Sequence, residues 1–296
     1  MGKFIVSTDS TADLYADYVR EHDVFVAPLS FTIEKDGVVT EYEDSFTEYA
    51  QYEDFYAQLR GKAQPRTAML NYNAHMRHFR AIAETGARNV LHFTISSGLA
   101  DTIHVAKQAA EDIRKEYPDF HCVPFDSLAA TIGQGELVYE AVRLRDAGLS
   151  LGEACEKLKD LPMHFQYMIS ADDLYYLQRG GRVGMVSAVF GTALQIKPVM
   201  TFTAEGKLSV TGKARRMKGV IQCALEKMDK FPPSAENRMI HIVHTDAEEG
   251  AELLAREIEK KWNFRPEISI MGPVIGTHVG PGGVSVIWKS DTARTE

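Results

Sequence analysis

The stretch from Val274 to Gly283 reads V-I-G-T-H-V-G-P-G-G and sets one imidazole, His278, among four glycines and a proline. Gly276, Gly280, Gly282 and Gly283 permit backbone angles and close approaches that a β-carbon forbids, and Pro281 stiffens the turn. Such a loop can hold an imidazole, or several backbone N–H groups, at a fixed point. It is equally what a tight crossover between two buried strands requires. Three further clusters carry small polar groups: Ser10-Thr11, Ser96-Ser97 and Asp126-Ser127. Each follows a short apolar run. Hydroxyls and a carboxylate so placed suit binding of an anionic ligand, or phosphotransfer or hydrolysis through Ser10, Ser97 and Asp126. As helix caps they need no ligand at all.

The better-known catalytic patterns are missing. Thr94 and Ile95 stand where a nucleophile elbow around Ser96 or Ser97 needs glycine. Gly133-Gln134-Gly135 is followed by Val138 where a dinucleotide fingerprint needs glycine. There is no phosphate-binding G-x-x-x-x-G-K-[ST] and no H-E-x-x-H. His75 and His78 lie three apart on one predicted helix, read as a surface or half-buried pair, and lack a third ligand. Asp172-Asp173 fits a cation site or a helix start.

The elements that must position these groups alternate. Phe4-Ile5-Val6, Val90 to Ile95 and Val123 to Phe125 read as buried strands, each running through a polar cluster into a helix. Ser10 and Asp13 resemble a capping box, as do Ser150 and Glu153. Asp36-Gly37 between apolar runs predicts a hairpin. Tyr49, Tyr52, Phe55, Tyr56 and Leu59 have helical spacing, and 61–71 reads as a loop around Pro65. This half therefore predicts a parallel sheet flanked by helices, and ligands of such sheets bind off the carboxyl ends of the strands. In the second half, Phe165 to Ile169, Val199 to Thr203, Leu208 to Thr211, Met239 to His244, Glu267 to Ile270 and Val284 to Trp288 read as strands of a mixed sheet. Glu205-Gly206 is a second hairpin signal, and 188–196 is an apolar, buried run. Lys213, Arg215, Arg216 and Lys218 form a basic cluster that opens a helix. A boundary near Pro162 divides the chain into α/β domains 1–162 and 163–290, with 291–296 a tail.

The 296 residues allow two domains, and 45% hydrophobic with 25% charged content is ordinary for a globular chain. A net charge of -8 argues against nucleic-acid binding through bulk positive charge. No apolar run approaches the ~20 residues of a membrane span. Cys122, Cys155 and Cys223 are odd in number and far apart, as expected of a reduced cytoplasmic protein with no metal site.

Taken in order, the motifs resemble those of the DegV family, the fatty-acid-binding FakB proteins. The matching pieces are Thr8-Asp9-Ser10-Thr11-Ala12-Asp13-Leu14, Pro28-Leu29, Ile95-Ser96-Ser97-Gly98-Leu99 and Asp126-Ser127. They continue with Tyr176-Leu177, Gly180-Gly181-Arg182-Val183, Ile196-Lys197-Pro198, Lys213-Ala214-Arg215 and Thr277-His278-Val279-Gly280-Pro281-Gly282. The resemblance implies two α/β domains with one long-chain fatty acid between them, the tail buried and the carboxylate held by hydroxyls. It implies a bacterial, non-enzymatic carrier without a cofactor. Its partner would be a fatty-acid kinase related to dihydroxyacetone kinases, making an acyl phosphate for phospholipid synthesis. Carried over, Thr67 takes the place of the carboxylate-binding threonine and His278 that of the head-group histidine, with Ser10, Ser97 and Ala100 at the same edge. Arg182 and Arg215 match basic positions associated with the kinase encounter.

The sequence departs from that pattern twice. Thr67-Ala68-Met69-Leu70 replaces T-S-Q-P, and Leu99-Ala100-Asp101-Thr102 replaces L-S-G-T. The second change removes a carboxylate-binding serine and adds an acid. An ionised Asp101 about 4 Å from a fatty carboxylate would cost ~1 kcal/mol in water-like surroundings and ~4 kcal/mol at a partly buried site. A buried methylene contributes ~0.8 kcal/mol, so lipid binding is expected to survive, with the head group shifted towards Ser97 or a different preferred ligand.

Overall fold

The computed structural model describes residues 4–172, 174–182, 196–236 and 238–295. The first half runs β1 (Ile5–Asp9), α1 (Ala16–Glu21), β2 (Phe25–Ala27), β3 (Ser30–Lys35), β4 (Val38–Glu43), α2 (Tyr49–Arg60), β5 (Gln64–Ala68), α3 (Tyr72–Glu84) and β6 (Asn89–Thr94). It continues through α4 (Thr102–Asp112), β7 (His121–Asp126), α5 (Ile132–Asp146) and α6 (Leu151–Leu158). The second half comprises β8 (Phe165–Ser170), α7 (Tyr175–Arg179), β9 (Ile196–Phe202), β10 (Leu208–Arg215), α8 (Arg216–Lys230) and β11 (Ile240–His244). It ends with α9 (Glu248–Trp262), β12 (Glu267–Ile270), α10 (Pro273–Val279) and β13 (Val284–Lys289).

Three sheets result. A parallel sheet has the order β2-β1-β6-β7, and a mixed six-stranded sheet the order β10-β9-β8-β13-β11-β12. The predicted α/β class, parallel in the first half and mixed in the second, is therefore the observed one. Ala106, Ala109 and Ala110 fall on one face of α4 and, with Ile113 just beyond its end, pack with Met76, Phe79 and Ile82 of α3 behind the parallel sheet. Ala251, Leu254, Ala255 and Ile258 of α9 do the same behind the mixed sheet, with Val220, Ala224 and Met228 of α8. The Ser150–Glu153 capping box opens α6 as expected, with Glu153 Oε2 accepting from Ser150 N at 2.8 Å. The 188–195 part of the predicted apolar run lies outside the described residues.

The third sheet, β4-β3-β5, was only half anticipated. Its Asp36-Gly37 hairpin is present, but 64–68 is a strand and not a loop, paired antiparallel to β3 with Pro65 opposite Ile33. β5 is an edge strand, where a proline needs no ladder donor. Phe31 and Ile33 of this sheet pack on Phe55, Tyr56 and Leu59 of α2 and on Val274 of α10. Tyr49 is 47% exposed, so the aromatic stripe of α2 is core only at its C-terminal end.

Two other expectations are corrected. Ser10 does not cap a helix. Asp9 does the capping, accepting from Thr11 N at 3.2 Å over a short 3-10 turn, and α1 begins only at Ala16. Buried Asp9 also accepts from Ile95 N at 2.9 Å and Gln134 Nε2 at 2.9 Å, so it ties β1 to β6 and α5. The glycine-rich stretch is not a continuous loop: 273–279 is α10, with Pro273 in its first turn, and only Gly280 to Gly283 form the turn into β13. Segment 291–295, the tail, is docked on the protein. Arg294 is 6% exposed and donates to the carbonyls of Thr203, Leu128 and Pro162.

Candidate functional site

The largest apolar cluster takes residues from both halves, among them Phe93, Leu137, Ile169, Phe202 and Ile287. It does not close completely. A narrow cavity runs between the halves; it holds about 80 Å³ of room for the centre of a water-sized sphere, and about 840 Å³ of non-atom space once its open mouth and the adjoining solvent are counted. Its walls are mostly apolar, with Ile95 and Leu99 after β6, Ile169 and Phe202 from the mixed sheet, and Val274 and Val279 of α10. Segments that follow the C-terminal ends of β2, β6 and β7 thus line the cavity, the edge at which open parallel sheets bind ligands.

Thr67, Arg182 and His278 line both this cavity and an adjoining polar cleft that also includes Arg66 and Arg179. These three therefore stand where the apolar space meets its polar exit. β5 presents Thr67 and α10 presents His278, and His278 Nε2 lies 2.9 Å from Thr67 Oγ1. The other ring nitrogen, Nδ1, is buried without a partner. Gly180 is required here, because a β-carbon would run into that nitrogen. Burial, then the positive charges of Arg182 and Arg179, pull the His278 pKa down to about 4, so the ring is neutral at pH 7. Arg179 donates to Pro65 O at 2.9 Å, and Arg182 donates to Gly180 O. Gly276 lets α10 sit against the Tyr56 hydroxyl, which donates to Met271 O at 2.7 Å and fixes the helix.

Of the residues singled out from sequence, Thr67, Ala100, His278 and Arg182 meet in the cavity wall. Ser10 and Ser97 do not. Ser10 Oγ accepts from Leu29 N at 3.0 Å and faces a different surface hollow, alongside Asp13 and Asp44. Ser97 is exposed, and its N–H donates to Asp126 Oδ1 at 3.1 Å, which also receives Leu128 N. That carboxylate organises a turn. Ser96, its neighbour, docks the halves together by donating to Gly206 O at 2.7 Å. Arg215 is exposed at the end of β10, away from the cavity lining. Asp101 is 71% exposed, pairs with His104 and does not line the cavity.

Sequence reasoning missed three wall residues. Thr102, Thr131 and Tyr167 are buried in the cavity lining, and none of their hydroxyls has a partner. Buried hydroxyls are normally satisfied. Being unpaired is a tertiary property with no signal in the chain.

Of the histidine pair, His78 is half-buried as expected and His75 is not. His75 is fully buried, its ring 5.4 Å from that of His92, and Ser7 Oγ lies 2.7 Å from His78 Nε2 and 2.9 Å from His92 Nδ1. Among the described residues, no group of three or more His, Cys, Asp or Glu is placed to hold a metal ion. Asp172 pairs with Lys197, and Asp173 lies outside the described residues. No helix among the described residues is long and apolar enough to cross a membrane.

The site is thus an apolar cavity between the halves of an α/β frame, with a neutral imidazole, a hydroxyl and arginines at its exit. The sequence profile of the DegV family, described as an uncharacterised protein family, matches residues 3–291, and the chain belongs to that family. A DegV domain-containing protein of Clostridium perfringens is 31% identical over 293 residues, covering 99% of both chains. Among solved structures, a DegV lipid-binding protein of Thermotoga maritima is similar with a TM-score of 0.84 and 25% identity, covering 99% of this chain and 100% of that one. A fatty-acid-binding DegV family protein of Thermus thermophilus has a TM-score of 0.81 and 27% identity, covering 98% and 100%. A stearic-acid-binding protein of Eubacterium ventriosum has a TM-score of 0.82 and 25% identity, covering 97% and 98%.

Proposed function

We propose that this chain binds a long-chain fatty acid in the cavity between its α/β halves, 1–162 and 163–290, and presents the carboxylate to a partner kinase for acyl-phosphate formation. The protein is a carrier and not itself the enzyme. The observation that carries the reading is the apolar cavity whose polar exit is the Thr67–His278 pair. The fatty acids held by relatives of the same fold support it.

The tail supplies the affinity. At ~0.8 kcal/mol per buried methylene, a long chain offers on the order of ten kcal/mol before ordering costs. The exit sets orientation. With its proton on Nε2, the neutral His278 ring donates to Thr67 Oγ1, which frees the threonine O–H to donate to a carboxylate oxygen. Arg182, beside them, contributes positive charge. Ala100 supplies no hydroxyl, but Thr102, two residues on, brings an unpaired one to the same wall. Arg215, exposed and outside the cavity, suits contact with the kinase, and Arg182 at the exit suits both tasks.

Purified protein extracted into organic solvent should release an acyl chain of fatty-acid mass. Recovery of none, together with no uptake of added long-chain acids, would overturn the reading. With a dihydroxyacetone-kinase-like partner and ATP, the bound acid should become an acyl phosphate that hydroxylamine traps.

A further inference from the structure

We infer that the cavity holds a second polar subsite, made by Tyr167 and Thr131 at the start of α5, that takes an uncharged oxygen, a hydroxyl or keto group, borne on the acyl chain. The inference rests on the lipid-binding reading and narrows its ligand to oxygenated acyl chains.

Tyr167, from β8, is 1% exposed, lines the cavity and has no partner for its hydroxyl. A buried tyrosine hydroxyl usually finds one. Thr131, 7% exposed, also lines the cavity with its hydroxyl unpaired. It occupies the cap position of α5, a helix of 15 residues, yet its side chain does not cap. Its backbone, at φ 51 and ψ -145, lies in a region a β-branched residue rarely enters. The two hydroxyls belong to one place. A β-carbon on Gly133, two residues beyond Thr131, would stand 2.8 Å from the Tyr167 oxygen, so that oxygen rests on the first turn of α5. Helix starts also carry N–H groups without intrahelical partners.

This subsite is separate from the exit, since neither residue lines the polar cleft that Thr67, Arg182 and His278 share. The charges around it favour a neutral group. The Arg294 guanidinium lies 5.1 Å from the Tyr167 ring centroid; its two terminal nitrogens donate to three carbonyls, and its Nε is buried without a partner. The Asp13 carboxyl lies close to Thr131 without completing a hydrogen bond to it, and a second carboxylate there would face it. A hydroxyl or keto oxygen can accept from Tyr167 without that repulsion.

The test uses the full chain, stripped of lipid and titrated calorimetrically with octadecanoic acid and with C18 acids bearing one hydroxyl or keto group at successive positions. At least one oxygenated acid should bind about 10-fold tighter than the plain acid, the worth of one well-made hydrogen bond. Tyr167→Phe should erase that preference, so that the oxygenated acid binds this variant no more tightly than octadecanoic acid does. Thr131→Ala should reduce it, and Thr131→Ser should keep it. Equal affinities for all the acids, as when water alone fills the subsite, or a preference that survives Tyr167→Phe, would overturn the inference while leaving lipid binding intact. Failure of every C18 acid to bind would sink both readings.

Discussion

Replacing Thr67 by valine removes one hydroxyl from the cavity exit and keeps the side chain's shape. In the ligand-free protein this breaks the 2.9 Å contact to His278 Nε2 and leaves a ring whose Nδ1 is already unpartnered with no side-chain partner. The expected stability loss is about 1–3 kcal/mol, the cost of an unsatisfied buried group. In the complex the loss is a hydrogen bond to a charged oxygen, about 1.5–3 kcal/mol, or roughly 10- to 150-fold in Kd. The apolar walls, and with them the tail's contribution, are untouched. Binding of hexadecanoic acid by the delipidated variant should therefore weaken by that factor. Hexadecanol, which has the same tail and no charge, should weaken only a few-fold. Calorimetric titration of both ligands against wild type and variant gives the four constants. An unchanged acid affinity in a folded variant would refute the assignment of Thr67 to the head group. An equal loss for acid and alcohol would show that the hydroxyl serves the fold alone.

Ala100→Ser restores a hydroxyl in the cavity wall and should tighten acid binding up to about 10-fold. Asp101→Asn, at an exposed side chain paired with His104, should leave the affinity where it is, and both constants come from the same titration. Arg215→Ala should bind the acid normally but slow acyl-phosphate formation by the kinase, measured as hydroxamate. Equal effects on binding and transfer would contradict a docking role. The fourth prediction concerns pH. Burial holds His75 and His78 at about 4 and His92 well below its ordinary value. The unfolded chain takes up those protons near pH 6.5 and the folded chain does not, so stability is lost as pH falls from 6.5 towards 4. Raised carboxyls at Asp9, Asp13 and Asp44 act with the opposite sign, so the test is a difference. Between pH 6.5 and 5, wild type should lose about 2 kcal/mol relative to His75→Leu in urea unfolding. Parallel profiles would contradict it.

What the chain disclosed before folding follows a physical pattern. Strands such as β6 and helices such as α6 announce themselves because apolar periodicity and caps are local. β5 hid because Gln64, Pro65 and Arg66 look like turn residues, and only pairing with β3 makes them a strand. α10 hid because its Gly276 answers to the Tyr56 hydroxyl across the core, not to a turn. At the site, Thr67, Ala100, His278 and Arg182 were reached through family-like motifs. Ser10 and Ser97 sat in equally good motifs, but their polar atoms went to Leu29 and Asp126. Thr102, Thr131 and Tyr167 matter through bonds they do not make, which no spacing encodes.

The central claim is that the space between the halves is shaped for an acyl tail. It is tested most directly by titrating the delipidated protein with saturated acids from ten to eighteen carbons. The account predicts that Kd falls about 4-fold per added methylene, the equivalent of ~0.8 kcal/mol, until the cavity is full and the trend stops. An affinity indifferent to chain length would contradict it.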